Sequence, residues 1–401
     1  MLRIDDPTFT WPLLTLDEAA LDHNITTVAG AFAAGGVEHA PHVKTHMSRG
    51  IWERQAAAGA WGATVATPAQ LRTVLGWGVP GAGRRVFVAN ELVDARDVAW
   101  LRSALTDGAA DEVWLYVDSG YGVDLLAAGF AGAAPEVLAR LGVLVELGVP
   151  GGRTGVRTVS DAVVLAVRVH DAGLRLAGVA GYEGPVAGGT SEEELAAVGR
   201  WCDDLRSVGA QIGGLVQGPT VLSAGGSAFA DVVTRHLAVP VRDAAGVDVP
   251  TRVVLRSGAY VTHDHGHYLR TDPWTRLGAE ALRPAITVWA SVLSAPEPGL
   301  AICGMGRRDV SFDIDLPTPL VVRRPDAAGR LGEARDLAGM RVTALNDQHA
   351  YLATDPTGGP ALAPGDVVGF GISHPCTTLD KYRTALVTRG DEVAEQVTLD
   401  F

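Results

Sequence analysis

Between Leu16 and about Arg256, short β-branched runs alternate with stretches whose apolar residues recur at helical spacing. The pattern predicts eight strands, at 37–43, 62–66, 84–89, 112–118, 141–147, 175–181, 219–224 and 251–256. Helical signals fall between them. Thr67-Pro68-Ala69-Gln70 joins an N-cap, a proline at the first helical position and a capping-box glutamine. Ser48, Ser160 and Ser191 are expected N-caps, and Gly59 is placed to end the helix that starts at Ser48. Leu195, Val198, Trp201, Cys202 and Leu205 mark the apolar face of a helix over 191–209. Strands alternating with helices imply a parallel sheet, and eight such units predict an α/β fold, a closed (β/α)8 TIM-type barrel over 16–256. An open doubly wound sheet is the competitor; no Gly-x-Gly-x-x-Gly follows the first strand to support it.

Beyond Arg256 the texture changes. Pro, Gly and alternating apolar residues dominate 285–293, 311–316, 320–323, 340–345 and 366–369, and helical periodicity is scarce. This predicts a mainly β domain over 257–401, joined by residues 1–15. No internal repeat or low-complexity tract interrupts the chain.

Composition narrows the function classes. A length of 401 residues with 47% hydrophobic and 20% charged content suits one large domain plus a smaller one. A net charge of −13 argues against nucleic acid or an anionic membrane as partner, and an anionic substrate would need a local positive pocket. Three distant cysteines, Cys202, Cys303 and Cys376, do not make a disulfide framework and fit a reducing cytoplasm. Met1 to Thr10 carries acids and no apolar h-region, so no secretory signal is expected. The longest apolar stretch, 285–304, is broken by Pro296, Glu297 and Pro298, so a soluble cytoplasmic protein is expected.

The barrel reading makes a test within the sequence, because barrel chemistry gathers just after the strands. Lys44 follows the first strand, Thr67 the second, Asn90 the third, and Asp118 ends the fourth. Arg153 lies after the fifth, Tyr182 after the sixth, Ser223-Ala224-Gly225-Gly226-Ser227 at the seventh, and Arg256 to Tyr260 at the eighth. A lysine amine there can be desolvated, lowering its pKa until it can form a Schiff base. The bland reading is a strand-end lysine reaching water. Small residues and two glycines before a helix starting near Phe229 expose backbone N–H groups suited to a phosphate, or make an ordinary turn. Lysine plus phosphate cradle points to pyridoxal phosphate, whose aldehyde needs an amine and whose phosphate needs donors. Arg153 is expected to hold a cofactor or substrate oxygen or a ring nitrogen, and Tyr182 to stack on the cofactor ring. Asp118 and Glu146 read as solvated strand ends.

The second domain carries His374-Pro375-Cys376, an imidazole and a thiol two residues apart and hence on one side of an extended segment. Both are suitable zinc ligands, with positions left for water or substrate; the alternative is a structural pair. His263, His265 and His267 form another alternating set, either a solvated loop or part of a metal shell or acid–base group, and His349 follows Asp347-Gln348.

Taken together, Pro41 to His46, Gly151 to Gly155, Ser223 to Ser227 and His374 to Thr378 resemble the D-serine dehydratase and D-threonine aldolase family. This is the fold type III group of pyridoxal-phosphate enzymes, related to alanine racemase. Cys303 to Ser311 and Leu255 to Tyr260 extend the likeness to its bacterial amino-acid deaminase-like members. The resemblance implies that Lys44 is the Schiff-base lysine and that Ser223, Gly225, Gly226 and Ser227 form the phosphate site. It implies that Tyr260 lies near the cofactor and that His374 and Cys376 are zinc ligands. The aldolase branch has an aspartate where Cys376 stands, so this cysteine leans toward dehydration. Met47 and Ser257 depart from the family, which is usually basic at the first position and often proline at the second.

The expected activity is elimination of water from a D-β-hydroxy amino acid such as D-serine, giving a 2-oxo acid and ammonia. Lys44 would move the α-proton, and zinc would assist departure of the β-hydroxyl. The runner-up is retro-aldol cleavage to glycine and an aldehyde, with His349 as a candidate base. A non-catalytic pyridoxal-phosphate carrier and a racemase are further alternatives. Fold analogy suggests a homodimer.

Overall fold

The computed structural model describes residues 2–353 and 361–401. Its first unit is a parallel eight-stranded sheet. In chain order the strands are Glu38–His39, Ala63–Val65, Arg85–Glu91, Glu112–Val117, Leu141–Leu147, Leu176–Gly181, Thr220–Ala224 and Thr251–Leu255. Each of the eight predicted runs overlaps one of them; the third strand runs two residues past its predicted end at 89. The last strand returns to the first in parallel register, Val254 opposite Glu38 and Leu255 opposite His39. An isolated parallel bridge, His42 to Thr64, joins the first strand's continuation to the second, so the sheet curls into a barrel.

The first strand is much shorter than the predicted 37–43. Pro41 has no N–H to give a ladder, and the chain passes instead into a 3-10 turn over Val43–Thr45. Helices occupy the predicted intervals. Thr67 accepts from the N–H of Gln70, while the Gln70 side chain reaches back to the N–H of Ala66. Ser191 and Glu194 form a reciprocal capping box ahead of the helix Glu192–Ile212. Ser160 is not a cap; Thr158 takes that role by accepting from the N–H of Asp161. Ser48 stands at its helix N-cap with no side-chain capping bond.

Inward-facing side chains fill the barrel. Trp61 stacks on Trp114 at 4.1 Å, and Phe87 stands edge-on to both Trp114 and Tyr116. Arg252 lies over Trp61 and Trp114 from one end and pairs with Glu38. Arg256, two residue pairs up the same strand face, lies over Phe87. Large buried side chains of this kind contribute roughly 1.5–3 kcal/mol each. This aromatic layer is the floor on which the site stands.

The second unit is a ten-stranded sheet assembly. Its longest strand, Ile286–Glu297, pairs antiparallel with Leu13–Asp17 and with Val367–Gly371. Leu13–Asp17 pairs parallel with Thr384–Arg389 as well, so the N-terminal strand lies in this second sheet. Residues 311–316, expected as strand from their alternation, form no ladder. Ser311, Asp313 and Asp315 bond instead to the loop that carries His374. No helix among the described residues is long and apolar enough to cross a membrane.

Candidate active site

A cavity of about 560 Å³ opens at the C-terminal mouth of the barrel strands. Lys44, Arg153, Tyr182, Gly225, Gly226 and Ser227 line it, together with His374 and Cys376 from the β domain. Ser223, Tyr260 and His349 do not.

Lys44 is half-buried on the 3-10 turn, and three side chains fix that turn from behind. The N–H of Ser48 donates to His46 Nδ1 at 3.0 Å, so the ring hydrogen is on Nε2, which faces Gln55 Oε1 at 3.2 Å. Gln55 Nε2 then donates to the Tyr260 hydroxyl at 2.9 Å. Tyr260 is buried against His39 and Trp274, and it supports the lysine turn through Gln55 and His46 rather than facing the cavity. Burial lowers the pKa of the Lys44 amine; Cys376 opposes this, while Arg153 and Arg256 add to it. A partly desolvated amine has a larger neutral fraction, the form that attacks a carbonyl.

Two guanidiniums share the cavity, and among the described residues neither has an acid partner. Arg153 lies over the Tyr182 ring at 4.7 Å, near the exposed rim. Arg256 is only 6% exposed and donates to Ser223 Oγ and to the carbonyl of Gly181, both at 2.6 Å. With Lys44 they form the local positive pocket that the net charge of −13 made necessary. Its place after the eighth strand put Arg256 at the barrel mouth, with no role assigned to it there. Strand parity could have supplied one, since Arg256 shares the inward face with Arg252 and Val254. His42, Asn90 and Tyr116 also line the cavity, and among the described residues the Tyr116 hydroxyl and His42 Nδ1 have no hydrogen-bond partner.

The loop after the seventh strand differs from the expected phosphate cradle in one respect. The N–H groups of Gly225 and Gly226 donate to the carboxylate of Glu183, a fully buried residue from the preceding strand–loop junction. Ser257 Oγ donates to the carbonyls of the same two glycines. The loop is thus held from both sides, leaving Ser227, Gly258 and Ala259 on the cavity wall. Ser223 lies beneath it, donating to the carbonyl of Val254.

Glu146 is 3% exposed, not the solvated strand end expected. Burial and then Glu146 raise its neighbour Glu91 to about 8. Asp118 accepts from the N–H of Gly155 and so anchors the loop bearing Arg153.

From the β domain, Cys376 Sγ lies 3.3 Å from Thr45 Oγ1, one residue beyond Lys44. The neighbouring Cys376, and then Asp313, whose Oδ2 meets His374 Nδ1 at 2.6 Å, raise the imidazole to about 9. The pair can offer a nitrogen and a sulfur to a divalent cation. Among the described residues, no group of three or more His, Cys, Asp or Glu side chains is arranged to hold one. His349 is exposed beside the strand Ala350–Ala353 and outside the cavity. The 263–267 histidines are not a solvated loop: His263 is buried with φ 48°, and His265 and His267 are half-buried. None lines the cavity, whereas Tyr268 does. Asp264 caps that segment by accepting from the N–H groups of Gly266 and Tyr268.

Residues 285–388 match the family described as putative serine dehydratase domain. The D-threonine aldolase of Filomicrobium marinum is 24% identical over 97% of this chain and 95% of that one, with a TM-score of 0.78. The chain has the fold of the type III pyridoxal-phosphate enzymes. The D-threo-3-hydroxyaspartate dehydratase of Delftia sp. HT23 superposes over 100% of this chain and 99% of that one, at 20% identity and TM-score 0.72. An alanine racemase-like protein of Idiomarina loihiensis covers 99% and 98%, at 16% identity and TM-score 0.72. Among curated proteins, none matches the chain in sequence. The expected barrel followed by a mainly β domain is borne out, and residues 285–388 carry the sequence match to the serine dehydratase domain.

Proposed function

We propose that this type III fold acts as a pyridoxal-phosphate- and divalent-metal-dependent lyase that eliminates water from a D-β-hydroxy amino acid. The observation that carries the reading is the sharing of one cavity by a desolvated lysine, two unpaired arginines and a histidine–cysteine pair. Pyridoxal phosphate would bind Lys44 and supply an electron sink for the α-carbon, and zinc on His374 and Cys376 would supply Lewis acidity at the β-hydroxyl.

The residues fit these groups. Ser227 and the Gly258–Ala259 turn face the cavity where a phosphate needs donors, and Arg153 and Arg256 offer charge without having to break an ion pair. The unpartnered Tyr116 hydroxyl gives a further polar contact. Lys44, its pKa lowered by burial, would take the α-proton. Arg153, at the rim, would hold the substrate carboxylate. The water lost in the elimination is taken up again when the released enamine hydrolyses, so the 2-oxo acid and ammonia account for all atoms of the substrate.

Retro-aldol cleavage is the second reading, favoured by the superposition on a D-threonine aldolase. His349 cannot serve as its base from outside the cavity. D-threonine separates the two outcomes, 2-oxobutanoate for dehydration and glycine with acetaldehyde for cleavage. The cofactor reading is tested by borohydride treatment of the pyridoxal-phosphate-saturated protein. Peptide mapping should find the pyridoxyl group on Lys44, and Lys44→Ala should abolish both the label and the visible absorbance band. An unlabelled Lys44 in a saturated sample ends the proposal. A carrier without catalysis predicts that His374→Ala changes nothing measurable in the holoprotein.

A further inference from the structure

Alternate residues of one short segment, Ser311, Asp313 and Asp315, grip the turn that carries His374 and Cys376. The N–H of Ser311 donates to Thr378 Oγ1 at 3.0 Å, and that hydroxyl donates to Ser311 Oγ at 3.0 Å. Asp313 meets His374 Nδ1 at 2.6 Å through one oxygen and accepts from Thr377 Oγ1 at 3.1 Å through the other. Asp315 accepts from Ser373 Oγ and from Arg270, each at 2.6 Å. The intervening Phe312 and Ile314 are exposed.

Of these contacts, only that of Asp313 touches the imidazole. An ionised carboxylate can only accept, so the hydrogen of that short contact is on Nδ1. Nε2 is then left free to ligate, and His374 and Cys376 line the same cavity. A thiol and an imidazole nitrogen presented together make two of the four ligands of a zinc site.

We propose that Asp313 is a positioning residue: it fixes the ring of His374 so that Nε2 and Cys376 Sγ converge on one divalent cation. This rests on the metal-assisted reading above. Carboxylates behind ligating histidines typically govern metal affinity by 10–100-fold.

The test titrates zinc into the metal-stripped full-length protein against a chromophoric chelator. Asp313→Asn should weaken zinc binding by about 10–100-fold, with Asp313→Glu recovering part of the loss. His374→Ala should abolish binding. Asp315→Asn, which leaves the ring contact intact, should bind as the parent does. Equal thermal midpoints for metal-free parent and Asp313→Asn would exclude a folding defect as the cause. Parental zinc affinity in Asp313→Asn, or an equal loss in Asp315→Asn, overturns the assignment while leaving the metal reading in place. A parent that takes up no zinc overturns the metal reading itself, and the role of Asp313 with it.

Discussion

Gly258→Ala probes whether the turn after the last barrel strand and the lysine turn share one packed wall. Gly258 has φ −121°, so the backbone accepts an alanine; the space does not. An added Cβ would lie 2.6 Å from the carbonyl oxygen of His42, 2.7 Å from its Cβ and 2.9 Å from Thr45 Oγ1. Non-bonded carbons settle near 3.5–4.0 Å, so the wall must open by roughly 0.5–1 Å. Two of the three obstructing atoms belong to the residue two before Lys44, and the third is the hydroxyl that meets Cys376. Overpacking of this kind costs about 1–3 kcal/mol. The lower entropy of the unfolded alanine chain returns about 0.4–1 kcal/mol. A net destabilisation of about 1–2 kcal/mol is expected, read as a lower urea midpoint at unchanged slope. Pyridoxal phosphate affinity should fall about tenfold for each 1.4 kcal/mol by which the displaced turn disfavours binding. A parental midpoint together with parental affinity would refute the reasoning, because the wall would then have room that its geometry denies.

Two further perturbations address the buried polar groups around the cavity. Burial, then Glu146 and Asp118, raises Glu91 from 4.5 to about 8, so between those values the native chain holds a proton that the unfolded chain has released. Stability should therefore fall as pH rises through that window, and Glu91→Gln should flatten urea midpoints measured between about pH 5 and pH 8; unchanged slopes would contradict it. Tyr116→Phe removes a buried hydroxyl with no partner, an unpaired group that costs about 1–3 kcal/mol, so the cofactor-free variant should show a higher urea midpoint. A lower midpoint would mean that the hydroxyl is satisfied after all.

The barrel was legible because its strands, buried on both faces, read as apolar runs separated by helical spacing. Where the reading failed, a contact distant in sequence had intervened. The run 37–43 reads as a buried strand, yet Pro41 ends the ladder and the lysine sits on a 3-10 turn. Residues 311–316 alternate like a strand, but their polar positions serve the 373–378 turn rather than a sheet face. Tyr260 follows the eighth strand as a cofactor contact would, and only packing shows it turned toward Gln55. Glu183 takes the Gly225 and Gly226 amides from 42 and 43 residues away, a pairing no local pattern could reveal. Lys44, Arg153, His374 and Cys376 were readable because strand ends and ligand spacing are local signals.

Elimination asks two chemically different groups to act on adjacent carbon atoms, about 1.5 Å apart. A base on the barrel and a Lewis acid on the β domain can do so only if the seam between the units fixes their separation. Three contacts do this here. Thr45, beside Lys44, meets Cys376 at 3.3 Å. The carbonyl of Met47, at the end of the same turn, accepts from the N–H of Asp400 at 2.6 Å. Asp400 in turn accepts from the Trp77 indole at 2.8 Å, tying the C-terminal segment to the helix after the second barrel strand. A protein that only stored a cofactor would need the barrel half of this arrangement, and nothing would then hold the cysteine in register with the lysine. Coupling across that seam is what distinguishes the dehydratase reading from its carrier alternative.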